Sequence, residues 1–130
     1  MLYLDSSAIV KLVAPEPETD ALIDFLATDP ERVSSALALV EVSRAVQRAG
    51  GDEVLLVRAR EVLSRVALIK IDNTVLRTAS ELGPPGLRTL DAIHLGTALS
   101  TVEPVTALVT YDRRLRDASR LAGIEVESPA

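Results

Sequence analysis

Four acidic residues of this chain lie beside or within apolar stretches: Asp5, Glu41, Asp91 and Asp112. Carboxylates that are brought close together repel one another, and their pKa values rise unless a cation neutralises them. A divalent cation supplies that charge, polarises a phosphoryl oxygen and lowers the pKa of a bound water so that it becomes a nucleophile. If the four side chains meet, they therefore predict an oxygen-ligand site for one or two hard cations, Mg2+ or Mn2+.

Each of these acids also has a purely structural explanation. Three of them, Asp5, Asp91 and Asp112, stand where a helical stretch begins, and Asp is a common helix cap there. Glu41 lies at helical spacing from two arginines, Arg44 and Arg48, so a surface ion pair would account for it. No single acid establishes a site, and both interpretations stay open at this point.

Short apolar strands alternate with helices along the chain. Strands are predicted at residues 2–4, 32–34, 67–71, 107–110 and 124–126. Helices are predicted at residues 8–13, 19–27, 36–49, 52–64, 73–82, 91–100 and 112–122, and a Gly-Pro-Pro-Gly loop at 83–86. This alternation predicts a mostly parallel sheet covered on both faces, in one domain over residues 1–130. Such sheets bind ligands beyond the carboxyl ends of their strands, where Asp5 and Asp112 would lie.

Composition excludes several classes of site. The chain has 130 residues, no cysteine and one histidine, His94, so thiolate chemistry and clusters of imidazole ligands are ruled out. The net charge of −5 argues against a protein that coats nucleic acid, although bound cations would supply positive charge where a phosphate reacts. No apolar run approaches the roughly 20 residues of a membrane span, and no signal peptide is recognisable. A cytoplasmic protein is expected.

Four segments contain the four acids in chain order: LYLDSSAIVK at 2–11, VEVSRA at 40–45, LDAIHLGTA at 90–98 and LVTYDRRL at 108–115. They resemble the PIN-domain nucleases, and specifically the VapC toxins of bacterial toxin–antitoxin pairs. Each segment alone is weakly diagnostic. Together, in this order and at this spacing, they span nearly the whole chain and make the resemblance specific.

The resemblance implies a three-layer α/β/α sandwich with a mostly parallel central sheet. It makes Asp5, Glu41, Asp91 and Asp112 a catalytic quartet that binds Mg2+ or Mn2+. Two hydroxyl residues, Ser6 and Thr110, would be auxiliary and would orient carboxylates or water. The implied activity is endonucleolytic cleavage of RNA. The implied partners are a VapB-type antitoxin, whose tail covers the acidic groove, and a second copy of the chain in a homodimer.

Further residues near these segments have less specific roles. His94 lies one helical turn after Asp91, and we expect a partly buried, hydrogen-bonded residue rather than a base. Tyr111 could stack on a base or simply pack. Gly96, where the family more often has Ala, is expected to be a harmless packing variation, and Asp117 is expected to be a surface or auxiliary residue. At most two of five arginines are expected to bind RNA phosphates: Arg44, Arg48, Arg88, Arg113 and Arg114.

Other functions would leave different signals in the sequence. A receiver-like domain would need a Lys after a late strand, and none follows Thr110. A haloacid-dehalogenase-like phosphatase would need Asp two residues after Asp5, where Ser7 stands. A DNA nuclease would need a basic duplex-binding surface. A catalytically inactive PIN-like or receiver-like regulatory module is the main alternative, and the intact quartet argues against it.

Overall fold

A five-stranded sheet forms the centre of the computed structural model, which describes all residues 1–130. The strands are β1 Leu2–Leu4, β2 Arg32–Ser35, β3 Ala67–Ile69, β4 Ala107–Val109 and β5 Val126–Glu127. Their spatial order is β3-β2-β1-β4-β5, and every neighbouring pair is parallel. This order differs from the 2-1-3-4-5 order of receiver domains, so the receiver-like alternative is wrong.

Seven helices cover the two faces of the sheet. They are α1 Ser6–Val13, α2 Thr19–Leu26, α3 Leu37–Arg48, α4 Glu53–Ser64, α5 Asn73–Glu81, α6 Thr89–Leu99 and α7 Arg113–Leu121. Helices α1 to α4 pack together on one face, and α5, α6 and α7 pack on the other. The predicted three-layer α/β/α sandwich is confirmed. No helix is both long enough and apolar enough to cross a membrane.

The core lies on both faces of the central strands. Successive side chains of a strand point to opposite faces, so Leu2 and Leu4 of β1 pack under α1 to α4, whereas Tyr3 packs under α6 and α7. All three are essentially inaccessible to solvent. Burial of one such Leu side chain contributes about 1.5–3 kcal/mol. A continuous apolar run is therefore the expected pattern for a strand covered on both sides.

Four helices begin with an Asp cap, and three of these caps, Asp5, Asp72 and Asp112, were predicted from the sequence. An Asp side chain accepts a hydrogen bond from a backbone N–H two or three residues later at the starts of α1, α4, α5 and α7: Asp5, Asp52, Asp72 and Asp112. Helix α3 begins at Leu37 because Ser34 and Ser35 stay in β2, paired with β3. Helix α6 begins at Thr89, with Arg88 at its N-cap. The structural alternative that Asp91 caps this helix is therefore wrong, and Asp91 lies in its first turn.

Gly96 allows α5 and α6 to approach closely. A Cβ atom at this position would lie 3.1 Å from the backbone N of Ala79 and 3.2 Å from the carbonyl O of Val75. Both neighbours are backbone atoms of α5, which cannot move aside by rotating a side chain. Strain rather than a harmless packing variation is therefore predicted at Gly96, because an alanine would require α5 to shift by a few tenths of an ångström.

Gly96→Ala is expected to lower the free energy of unfolding by about 1 kcal/mol. Overpacking costs about 1–3 kcal/mol, and the higher helix propensity of Ala returns about 1 kcal/mol of that loss. Urea denaturation measures the difference. Gly86→Ala is the control, since a Cβ there contacts nothing within 4 Å. A Gly96→Ala variant more stable than the wild type would contradict the close packing.

Candidate active site

The strand order reverses at β1 and β4, and two of the acids lie just beyond this switch point. After β1 the chain enters α1 on one face, and after β4 it enters α7 on the other. Asp5 and Asp112 are the N-caps of those two helices. Parallel sheets leave a crevice at such a point, so the topology itself brings these two carboxylates to one place.

Thr110 links these two residues from a fully buried position. Its Oγ1 donates to Oδ2 of Asp5 over 2.6 Å and accepts from the backbone N of Asp112 over 3.0 Å. The hydroxyl thus fixes one oxygen of the first carboxylate and the start of α7 together. This contact is consistent with the auxiliary role expected for Thr110.

Asp5 is buried, and both of its carboxylate oxygens accept hydrogen bonds. Its Oδ1 accepts from the backbone N of Ala8 at 3.0 Å and from Oγ of Ser7 at 2.6 Å. The Ser7 hydroxyl also accepts from the backbone N of Tyr111 at 2.9 Å. Burial raises the pKa of Asp5, and the hydrogen bonds from Ser7 and Thr110 partly counter that rise. The sequence interpretation missed Ser7, whose only signal was its place directly after Asp5-Ser6.

Glu41 reaches the cleft from α3 and is held by two donors. Its Oε1 accepts from Oγ of Ser6 and from Nε2 of His94, both at 2.6 Å. Burial acts to raise the pKa of Glu41, but these hydrogen bonds outweigh it and the pKa lies below the usual range. The alternative of a surface ion pair with Arg44 or Arg48 is wrong, because Glu41 accepts hydrogen bonds from Ser6 and His94 instead.

Asp91 has a buried carboxylate oxygen, Oδ2, with no hydrogen-bond partner. Burial raises the pKa of this side chain, and the charge of Asp112 raises it further, while Arg88 acts in the opposite direction. A buried polar atom without a partner is rare in folded proteins and needs an explanation. A cation in the cleft would provide one, because it would both ligate this oxygen and relieve the repulsion.

All four acids line one cleft of about 300 Å³. Its remaining lining residues are Ser6, Ser7, Arg88, Thr89, Leu90 and His94. As the side chains lie, no three carboxylate or imidazole groups are close enough together to hold one ion. Thr110 donates a hydrogen bond to Asp5, and His94 lies within hydrogen-bond distance of Glu41. The donor set nevertheless fits Mg2+ or Mn2+, which take oxygen ligands and keep several waters of their own.

Capping and cleft lining are compatible roles for the same Asp. Asp112 uses Oδ1 to accept from the backbone N of Leu115 at 3.0 Å, and its second oxygen makes no hydrogen bond within the protein. Asp117, on the same helix, pairs with Arg116 at 3.0 Å, and its side chain is 64% exposed. The prediction that Asp117 is a surface residue is confirmed.

A second depression adjoins the cleft and shares Ser6, Ser7 and Glu41 with it. Lys11, Arg48 and Tyr111 also line this depression. The Lys11 ammonium lies 4.6 Å from the centre of the Tyr111 ring, and the Tyr111 hydroxyl donates to the carbonyl of Pro129 at 2.7 Å. These contacts give Tyr111 a packing role. Of the five arginines singled out in the sequence, Arg88 lines the acidic cleft and Arg48 lines this depression.

Comparison with known families identifies the class of protein. The model of the PIN domain family matches residues 2–121. Because this match covers most of the chain, the chain belongs to the PIN-domain family.

The curated relatives narrow the assignment within that family. Ribonuclease VapC46 of Mycobacterium tuberculosis is 48% identical over 129 residues, which cover 99% of this chain and 98% of that protein. Ribonuclease VapC35 of the same species is 43% identical over 133 residues, which cover 99% of this chain and 97% of that protein. The chain is therefore a member of the VapC group, and the resemblance found in the sequence is confirmed.

Solved structures share the fold at low sequence identity. VapBC2 from Rickettsia felis, bound to a DNA fragment from their promoter, matches with a TM-score of 0.75 and 19% identity over 100% of both chains. Mycobacterium tuberculosis VapC20, described as a sarcin–ricin loop cleaving toxin, matches with a TM-score of 0.75 and 16% identity, again over 100% of both chains. A toxin–antitoxin complex from Klebsiella pneumoniae matches with a TM-score of 0.72 and 21% identity, covering 100% of this chain and 98% of that one.

Proposed function

We propose that this chain is a metal-dependent endoribonuclease and the toxin of a VapBC-type toxin–antitoxin pair. The observation that carries the proposal is the cleft itself. Four carboxylates from four separate parts of the fold line it: Asp5, Glu41, Asp91 and Asp112. One of them has a buried oxygen that no group of the protein satisfies. The curated relatives are named ribonucleases, which supports RNA as the substrate.

The four acids would hold Mg2+ or Mn2+, which, when bound, polarises the phosphodiester and lowers the pKa of a water molecule. Neighbouring side chains hold the carboxylates that would bind that ion. Ser7 and Thr110 hold Asp5 at the switch point, and Ser6 with His94 keeps Glu41 ionised. The guanidinium of Arg88, at the cleft wall, is suited to an RNA phosphate.

The proposed partners are a VapB-type antitoxin and a second copy of the chain. Two of the structural relatives are toxin–antitoxin complexes, which supports the first. An open groove of about 640 Å³ between α2 and α4 offers apolar surface to a protein partner, since Ile23, Val54 and Val57 there are 51%, 73% and 46% exposed. Exposed apolar patches of this kind mark interaction surfaces. We further propose that residues 1–130 act as one nuclease domain in the cytoplasm, where the RNA substrate is found.

The proposed activity can be tested by RNA cleavage with purified protein in Mg2+ or Mn2+. We expect cleavage that is lost with EDTA and lost in Asp5→Asn, whose carboxamide keeps the shape of the carboxylate without its charge. Asp117→Asn is the matched control, since it removes an exposed acid of α7 outside the cleft. Cleavage that survives both EDTA and Asp5→Asn would show that a different site, or a contaminant, is responsible.

A further inference from the structure

A buried chain of hydrogen bonds runs from the sheet to the acidic cleft through His94. The hydroxyl of Tyr3, on β1, lies 2.7 Å from Nδ1 of His94, on α6. The opposite ring nitrogen, Nε2, lies 2.6 Å from Oε1 of Glu41, on α3. Tyr3 and His94 are 0% and 2% exposed, so water does not compete for these groups. Three elements that are distant in sequence are thereby joined at one carboxylate.

Which group donates in each of these hydrogen bonds follows from the chemistry of the three side chains. An ionised carboxylate only accepts hydrogen bonds, so Nε2 of His94 must carry the hydrogen that is shared with Glu41. In the neutral ring Nδ1 is then an acceptor, and Tyr3 must donate to it. Burial, followed by the nearby charge of Asp5, raises the pKa of Tyr3, so the phenol keeps the proton that it donates. The tautomer of His94 is therefore set by Glu41, and the hydrogen bond that Tyr3 donates to Nδ1 stabilises it.

The consequence for Glu41 is a fixed orientation. Oε1 is held by His94 and, at 2.6 Å, by Ser6, while Oε2 makes no hydrogen bond within the protein. Asp91 lies one helical turn before His94 on α6, so the same helix carries one acid of the cleft and holds another. A displaced Glu41 would leave the cleft with three carboxylates in place of four.

We infer that His94 is a positioning residue, whose Nε2–H, supported by the hydrogen bond from Tyr3 to Nδ1, holds the Glu41 carboxylate in the cleft and thereby sets the affinity for the divalent cation. The inference rests on the proposed metal-dependent function and assigns no step of the reaction to the imidazole. Partners in the second layer of a metal site typically contribute 10–100-fold to metal affinity. The effect is therefore measurable by metal binding alone, without any assay of cleavage.

The tautomer can be read directly by nitrogen-15 NMR, because His94 is the only histidine of the chain. At neutral pH we expect a protonated Nε2 and a hydrogen-bonded, unprotonated Nδ1. Tyr3→Phe removes only the hydroxyl and is expected to abolish the Nδ1 hydrogen-bond signature. A ring protonated on Nδ1 and bare at Nε2 in the wild type would overturn the inference, since it could not donate to Glu41.

Mn2+ titrations followed by electron paramagnetic resonance test the effect on the cation. We expect His94→Leu to weaken Mn2+ binding about tenfold. His94→Gln should stay within about threefold of the wild type, because its amide N–H can still donate to Glu41. In a Glu41→Gln background, His94→Leu should have no further effect, since His94 acts through that carboxylate.

The outcomes separate this inference from the proposed function. Mn2+ binding by His94→Leu at wild-type affinity, or an equal loss in both backgrounds, would overturn the positioning role and leave the metal site intact. A wild-type protein that binds no Mn2+ would remove the proposed function and the inference together. If His94→Leu does not fold, Tyr3→Phe replaces it in the same titration, with a weakening of about threefold expected and an unchanged affinity counting against the inference.

Discussion

Asp91→Asn is expected to abolish metal-dependent RNA cleavage and, at the same time, to make the metal-free protein more resistant to unfolding. Removal of a ligand should cost at least the roughly 100-fold that loss of an outer partner can cost at a metal site. The gain in stability has a separate cause. Asp91 carries a buried oxygen without a partner, and its burial and the charge of Asp112 raise its pKa, so ionised Asp91 destabilises the metal-free fold.

The pH dependence of stability follows from the sign of this shift. A carboxylate whose pKa is raised in the folded state binds its proton more tightly there than in the unfolded chain. The free energy of unfolding of the metal-free wild type therefore falls as the pH rises from the ordinary Asp pKa of 3.8 through the raised value. The neutral amide of Asp91→Asn does not titrate, so the free energy of unfolding of this variant should fall less over the same pH range.

Cleavage assays and thermal unfolding, with and without Mn2+, measure both effects. Mn2+ should raise the unfolding temperature of the wild type but not that of Asp91→Asn, because only a protein that binds the ion gains stability from it. Asp20→Asn is the matched control, an exposed acid in the first turn of α2 as Asp91 is in the first turn of α6. Full cleavage by Asp91→Asn would remove Asp91 from the proposed quartet.

Thr110→Val is expected to reduce both stability and cleavage, although the two side chains have nearly the same shape. The substitution removes the hydroxyl that donates to Oδ2 of Asp5 and accepts from the backbone N of Asp112. Both groups would then be left without partners at a buried position. A buried polar group that loses its partner costs about 1–3 kcal/mol.

The loss of cleavage should be about 10–100-fold, the range found when an outer partner of a metal ligand is removed. Thr110→Ser is the control, because it keeps the hydroxyl and removes only a methyl group. Urea denaturation and RNA cleavage under saturating Mn2+ separate the two effects. If Thr110→Val cleaved RNA like the wild type, the hydroxyl would have only a structural role, and Asp5 would not depend on it for orientation.

Local features of the sequence were sufficient to predict most of the elements. The caps at Asp5, Asp72 and Asp112 were predictable because the carboxylate binds a backbone N–H only three residues away. The apolar runs of β1 and β4 were predictable because both faces of a central parallel strand are buried. The start of α6 was not, because this helix begins at Thr89 without a side-chain cap, so no local signal marks the residues before Asp91.

The candidate site likewise has features that the sequence predicts and features that only the tertiary structure decides. The sequence by itself identified the four acids as candidates, through the four segments that contain them. The alternation of strands and helices placed Asp5 and Asp112 beyond the carboxyl ends of their strands. Only the tertiary structure decided which groups hold those acids. The bond between Glu41 and His94 joins residues 53 positions apart, and the close approach at Gly96 depends on how α5 lies on α6. Such contacts depend on the packing of whole elements, because neither partner has a local preference for the other.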